Sequence, residues 1–176
     1  MATSAVLDYT NLYTQSFWNV FNLLNTRTNV IDPLDASGSR KLVYSREPDL
    51  GRNFAGYPII IVMPAKLKRS ARKTLNDKNA DVDGTITVEV RSSDVFFTKE
   101  TASDPHGKGL TFLDQLSDDV LETLNSASNR NTLRNNNIGF VKVEEAGSDT
   151  IDMEGEVVYR REFLVQFNSP LLTVST

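Results

Sequence analysis

The sequence contains no cysteine and a single histidine, His106. The absence of thiols rules out disulfides and thiolate metal ligands, and one histidine alone does not build a typical transition-metal site. His106 lies in a segment rich in proline and glycine, with Asp104 as its only near acid. We interpret it as a surface loop residue in preference to half of a catalytic dyad, and we expect no catalytic, cofactor or metal site.

The sequence also lacks a long apolar run and an excess of positive charge. No stretch approaches the roughly 20 apolar residues needed to cross a bilayer, and the N-terminus lacks the basic and apolar segments of a signal peptide. We therefore expect a soluble chain with no membrane partner. The formal net charge of −4 argues against general nucleic-acid binding, although it leaves room for a local basic patch.

The longest run with strand character covers residues 155–168. Apolar residues occupy one parity of this run and mostly polar residues the other, which predicts a strand with one buried face. We expect it to be the central or longest strand of a sheet, with its apolar face under the helices. That face comprises Val157, Tyr159, Phe163, Val165 and Phe167.

Hydrophobic periodicity predicts the remaining elements. Apolar residues spaced three and four apart predict helices at residues 8–25 and 110–127. Residues 129–137 are typical of a turn-rich linker, and residues 147–154 of a hairpin connection. Apolar or alternating runs predict four more strands, at residues 41–45, 57–63, 84–91 and 138–146.

This order of elements predicts an α+β fold: a largely antiparallel or mixed β-sheet with helices packed on one face, and long loops or arms for assembly. We expect a single domain over residues 1–176, with its core at 9–167 and an extended C-terminal tail at 168–176. About twenty residues without a helical pattern separate the 57–63 and 84–91 strands, which favours a long hairpin over a parallel crossover. The long irregular stretches at 29–56 and 92–109 are typical of loops that are functional or that a partner orders.

Neighbouring carboxylates are frequent in the sequence, but general acid–base chemistry needs them convergent and partly buried. Asp118 and Asp119 are expected on the wet face of the second helix, whose start has a capping box formed by Thr111 and Asp114. Residues 149–154 fall in the expected hairpin loop and lack a calcium-loop pattern. We interpret these groups as solvated acids.

Residues 66–78 concentrate positive charge in an otherwise acidic protein. Two interpretations remain open for this segment: contact with an acidic partner surface, and a solvated hairpin arm. DNA contact ranks behind both, because no aromatic residues are interleaved to stack on bases. The interface candidates within the segment are Lys66, Lys68, Arg69, Arg72 and Lys73.

Two further features are candidates for a subunit contact. Trp18, the only tryptophan, lies beside the apolar stripe of the first helix, where it either covers the edge of the core or anchors an interface. Arg160, Arg161 and Glu162 interrupt the 155–168 strand, and Arg161 falls on its apolar parity. Since an unpaired buried arginine is strongly destabilising, we expect Arg161 to have a partner acid within the subunit or across an interface.

The order of these segments is similar to that of a known family. A YPIIIVMP strand is followed by a polar arm, and an alternating ITVEV strand leads to the LDQLSDDVLETLNS helix. A strand, an acidic hairpin loop and the run VVYRREFLVQF close the sequence. Over about residues 9–167 this pattern resembles the tail terminator, or tail-completion, proteins of long-tailed phages.

The resemblance implies a structural virion protein without enzymatic activity, located in the tail or neck and assembled in the host cytoplasm. It implies a homo-hexameric ring that caps the tail tube, stops its growth and joins it to the head–tail connector, with a passage for DNA through the ring. The implied partners are the tail tube protein, the connector protein and further copies of this chain. Two alternatives stay open: a head-completion or neck adaptor protein that binds the portal, and a small enzyme that uses His106.

Overall fold

A computed structural model describes residues 9–26, 30–34, 38–49, 54–73, 79–94, 108–136, 138–153 and 155–172. The helices of this part of the chain are α1 (Tyr9–Asn25), α2 (Lys108–Asn125) and α3 (Ala127–Asn135). Its strands are β1 (Val43–Tyr44), β2 (Ile59–Val62), β3 (Lys66–Lys73), β4 (Asn79–Ser93), β5 (Gly139–Met153) and β6 (Glu156–Leu172). The predicted α+β fold with a mixed sheet is confirmed.

The sheet is built around β4 and β6, which pair antiparallel along the whole of β4, from Asn79 opposite Leu172 to Ser93 opposite Val158. The strand order is β1-β2-β4-β6-β5, and β3 also pairs with β4. Only the β1–β2 pair is parallel; the other pairs of the described strands are antiparallel. The run expected to be the longest strand is therefore the longest strand, with β4 and β5 on its two sides.

β2 and β3 follow one another along the same side of β4. Val62 lies opposite Val88 and Lys66 lies opposite Thr85, while between them the Met63 backbone N–H donates to the Thr87 carbonyl at 2.8 Å. Together with β4 they form the long antiparallel hairpin that the sequence predicts, and the residues described between β2 and β4 contain no helix.

All three helices cover the same face of the sheet. Their apolar residues, such as Val20, Leu116 and Leu133, share one buried cluster with Val88 and Phe163 of the sheet. In α1 and α2, stripes of apolar residues at helical spacing produce this packing, because a helix must bury its apolar side against another element.

The predicted apolar face of β6 lies under these helices. Phe163, Val165 and Phe167 are buried in the main cluster, and Tyr159 packs against it. Val157 is the exception, with 51% of its surface exposed, because it lies beyond the last β6 residue that pairs with β4.

The opposite face of the sheet carries a smaller apolar cluster formed by Tyr44, Tyr57, Ile59, Ile61 and Val158. Loop residues beside this cluster are held by one ion pair: Arg40 contacts Asp32 at 2.7 Å and also donates to the Gly56 and Pro58 carbonyls. The described parts of the long 29–56 stretch are therefore fastened to the subunit itself.

Three sequence predictions about element bounds are wrong. The expected linker 129–137 is mostly helix α3, whose start is capped by the Ser126 hydroxyl accepting the Asn129 N–H. The expected hairpin connection 147–154 is strand as far as Met153, because β6 continues beside it. The expected tail 168–176 is strand as far as Leu172, where the start of β4 supplies its partners; residues 173–176 lie outside the described chain.

The predicted capping box of α2 is also wrong. The helix begins at Lys108, three residues before Thr111, and its early Gly109 N–H donates to Asp94 Oδ1 at 2.8 Å. Asp94 follows the end of β4 and also accepts the Tyr159 hydroxyl at 2.8 Å. A carboxylate distant in sequence thus docks the start of α2 against the sheet, which local spacing does not reveal.

Candidate assembly surfaces

The described residues hold no group of three or more His, Cys, Asp or Glu side chains placed to bind a metal ion. His106 and Asp104 lie outside the described residues. Among the acids expected to be solvated, Asp118 is exposed but Asp119 is half-buried. Asp119 Oδ2 accepts the Ile31 backbone N–H at 3.3 Å, and burial raises the pKa of its carboxyl group.

The basic segment forms one outer strand of the sheet. All five of its candidate residues lie in β3, which has no acidic residue. Lys66 and Lys68 are exposed and lie opposite Thr85 and Asp83, on the face of the sheet that carries none of the described helices (the helix-free face). The backbone places Arg69, Arg72 and Lys73 further along the same strand.

The other outer strand, β5, is acidic. It contains one positive residue, Lys142, and four negative ones, namely Glu144, Glu145, Asp149 and Asp152. Glu144 is half-buried and Glu145 is exposed. Sequence reasoning missed this edge because it ended the strand at Ala146 and assigned the later acids to a loop. The continuous pairing of β5 with β6 places all four acids on one strand.

Trp18 belongs to an aromatic group on α1. Its ring meets Phe17 and Phe21 edge-on, with centroids 5.1 and 5.3 Å apart, yet 45% of the residue is exposed. Tyr13, five residues earlier on the same helix, is 41% exposed. A groove of about 300 Å³ runs between these residues and Pro64, which lies two residues before the start of β3. Trp18 therefore both covers the edge of the core and offers an exposed aromatic surface.

Arg161 has partner acids within its own subunit. Its Nη2 donates to Asp114 Oδ1 on α2 at 2.7 Å, and its Nε lies 3.6 Å from Glu145 Oε1. The predicted partner acid is confirmed, and it explains how an arginine sits on the apolar parity of β6: the side chain bridges the sheet to a helix.

Arg160 points to the other face, where it donates two hydrogen bonds to Asp149 at 2.8 and 2.7 Å. These bonds raise the pKa of Arg160 and lower that of Asp149. Glu162 is half-buried and lies opposite Glu89 on β4. The role of residues 160–162 in a subunit contact stays a prediction, but both arginines already have a structural function inside the subunit.

The strongest electrostatic feature was not predicted: a buried ion pair on the helix-free face. Glu89 and Arg91 lie two apart on β4, 3% and 6% exposed, and Arg91 Nε and Nη2 donate to Glu89 Oε2 at 2.9 and 2.5 Å. Arg91 also forms a double contact with Glu47 of the loop after β1. Burial lowers the pKa of Arg91, but the hydrogen bonds to both glutamates more than offset it, so its pKa is raised.

Tyr57 lies beside this ion pair, and burial raises the pKa of its phenol to about 12. Its hydroxyl donates to Met153 Sδ at 3.4 Å. In the alternating pattern of β4, Glu89 and Arg91 fall on the polar side of the strand, which predicts exposure. Their burial is due to the loop and strand that cover them, and these are known only from the folded structure. We interpret the group as a support for the Glu47 loop.

Comparison with known proteins gives no assignment: no family model matches the chain, and no curated protein matches it. Among the described helices, none combines the length and apolar character that a membrane crossing requires.

Proposed function

We propose that this chain is a structural virion protein that acts as a tail terminator: its copies form a ring that caps the tail tube and joins it to the head connector. The proposal comes from the order of sequence segments that resembles this family. The observation that supports it in the structure is the pair of outer strands, one basic and one acidic, on a sheet that carries the described helices on one face.

A capping ring needs surfaces that join identical copies and a face that the tube end accepts. A contact between two different surfaces of the same chain closes into a ring when its rotation divides a full turn. β3 and β5 are two such different surfaces, and the exposed Trp18 and Tyr13 add aromatic area of the kind enriched at interfaces.

The direct test is tube growth. Purified tail tube protein from the same phage genome is allowed to polymerise with and without this chain, and tube lengths are measured by electron microscopy. We expect tubes that stop at short lengths and carry one ring at one end. Tubes of unchanged length with no added density at either end would contradict the proposal.

Two outcomes would favour the alternatives instead. Binding to isolated portal assemblies, with no effect on tube growth, would identify a neck adaptor. For the enzyme hypothesis, His106→Ala is compared with wild type in virion yield. We expect an unchanged yield, whereas a loss of yield with normal folding and normal ring formation would support chemistry at this histidine.

A further inference from the structure

The sheet is open on both sides within the described part of the chain. β3 pairs only with β4, and β5 pairs only with β6. The outer side of each therefore presents backbone N–H and C=O groups that another strand can pair with. Long open edges of this kind are the surfaces used when a second chain adds a strand to a sheet.

The two edges carry opposite charge. β3 has five positive residues and no negative one, whereas β5 has four negative residues and one positive. Lys66 and Lys68 have no carboxylate within ion-pair distance among the described residues. Like charges across a pair of strands are destabilising and opposite charges stabilise it. The charges therefore disfavour pairing of two β3 strands or of two β5 strands from neighbouring copies, and they favour pairing of β3 with β5.

Strand directions also match. The successive pairs β3–β4, β4–β6 and β6–β5 are all antiparallel, so β3 and β5 run in opposite directions. Rotating one copy to place its β3 beside the β5 of its neighbour continues this alternation. The joined sheets keep all their helices on one side, since each subunit carries them on one face.

The level of the charges requires a stagger between copies. Lys66 aligns with Lys142 through Thr85 and Gln166, and Glu144 lies on the same face of the sheet as these residues. Because β3 and β5 run in opposite directions, a shift of four residues places Lys68 opposite Glu144. This offset is about 14 Å at the ~3.4 Å rise of a strand. Strands of closed sheets tilt by roughly 35–45°, which produces a stagger of this order between neighbours.

We propose that copies of this chain join edge to edge, with the basic strand β3 of one copy pairing antiparallel with the acidic strand β5 of the next. The groove between Tyr13, Trp18 and Pro64 adjoins the start of β3, so the incoming copy also covers apolar surface there. Repetition of this heterologous contact closes the ring, and the inference rests on the ring in the proposed function.

Charge reversal tests the pairing with three variants. The first reverses β3 (Lys66→Glu with Lys68→Glu), the second reverses β5 (Glu144→Lys), and the third combines all three changes. The matched control reverses two exposed acids of α2, Asp118→Lys with Glu122→Lys. Ion pairs at the protein surface contribute little to the free energy of unfolding, so each variant retains its fold, which circular dichroism checks.

We expect the first and second variants each to remain monomeric under conditions in which wild type and the α2 control assemble. Mixed one to one they assemble again, because the unreversed edge of each then meets a complementary edge of the other. Such a ring contains the two variants in strict alternation, and native mass spectrometry shows equal copy numbers. The combined variant assembles alone, since both of its edges are reversed.

Assembly of both single-edge variants at wild-type concentration would overturn the inference while leaving the ring itself intact. The inference would also be overturned if neither single-edge variant assembles, their one-to-one mixture does not assemble, and the combined variant does not assemble either. In that case the two edges would not face each other. A wild-type chain that forms no ring, alone or with tail tube, refutes the proposed function and the inference together.

Discussion

Replacing Arg91 with methionine tests the buried ion pair on the helix-free face. The substitution keeps an unbranched side chain but leaves the Glu89 carboxylate, with a side chain only 5% exposed, without its main partner. The positive group that remains near this carboxylate is Arg160, whose Nη1 lies 3.6 Å from Glu89 Oε1. Removing one partner of a buried ion pair costs about 3–5 kcal/mol. Because Arg160 remains near Glu89, we expect a loss in the free energy of unfolding at the lower end of this range, about 3 kcal/mol.

Urea and thermal unfolding at pH 7, followed by circular dichroism, measure this loss. For a chain of this size a loss near 3 kcal/mol lowers the melting temperature by about 6–12 °C.

Two further variants serve as controls. Arg161→Met removes contacts only to the exposed Asp114 and Glu145, and we expect a loss of at most about 1 kcal/mol. Adding Glu89→Met to Arg91→Met removes both buried charges and should recover most of the stability. A double variant as unstable as Arg91→Met, or an Arg91→Met loss no larger than that of Arg161→Met, would refute the electrostatic explanation.

Three other substitutions follow from the packing and the pKa shifts. Gly84→Ala places a Cβ 2.1 Å from the buried Phe167 ring, so we expect about 1–3 kcal/mol of destabilisation in urea unfolding, partly relieved by Phe167→Leu; an unchanged midpoint would contradict this. Asp119→Asn should raise the free energy of unfolding at neutral pH. Burial raises the pKa of Asp119 in the folded wild type, so its charged form destabilises the fold as pH rises through that pKa. Below the unfolded pKa of Asp119, the variant and wild type should have the same stability. Tyr57→Phe should remove a phenol that ionises at about pH 12 in ultraviolet titration, and persistence of that step would show that it belongs to another tyrosine.

The sequence predicted those parts of the fold that local periodicity encodes. The alternation in β6 placed Phe163 and Val165 under the helices, and the apolar run at residues 57–63 contains the buried strand β2. The absence of a helical pattern between β2 and β4 was enough to predict a hairpin in place of a crossover. These features depend on the spacing of residues along one segment.

The parts that the sequence did not predict depend on contacts between distant segments. α3 has a polar sequence and is held by a single buried residue, Leu133, together with the Ser126 cap. The extra length of β5 exists because β6 continues beside it. Asp94 caps α2 from the end of β4, and Glu47 reaches Arg91 across 44 positions of sequence. No local pattern marks any of these partners before the chain is folded.

The acidic edge of the candidate assembly surface was hidden for the same reason. Positive charge on β3 is visible as a cluster in the sequence, whereas the acids of β5 were divided between a strand and an expected loop. Only the pairing of β5 with β6 places Glu144, Glu145 and Asp149 on one outer strand.

The most direct test of the ring is the mass of the purified protein, measured by native mass spectrometry alone and after mixing with tail tube. One chain has a mass of 19.6 kDa. We expect a closed oligomer, six copies in the hexameric ring, either in solution or recovered from tube ends. A species of one chain at all concentrations, which neither binds the tube nor changes its growth, would contradict the account.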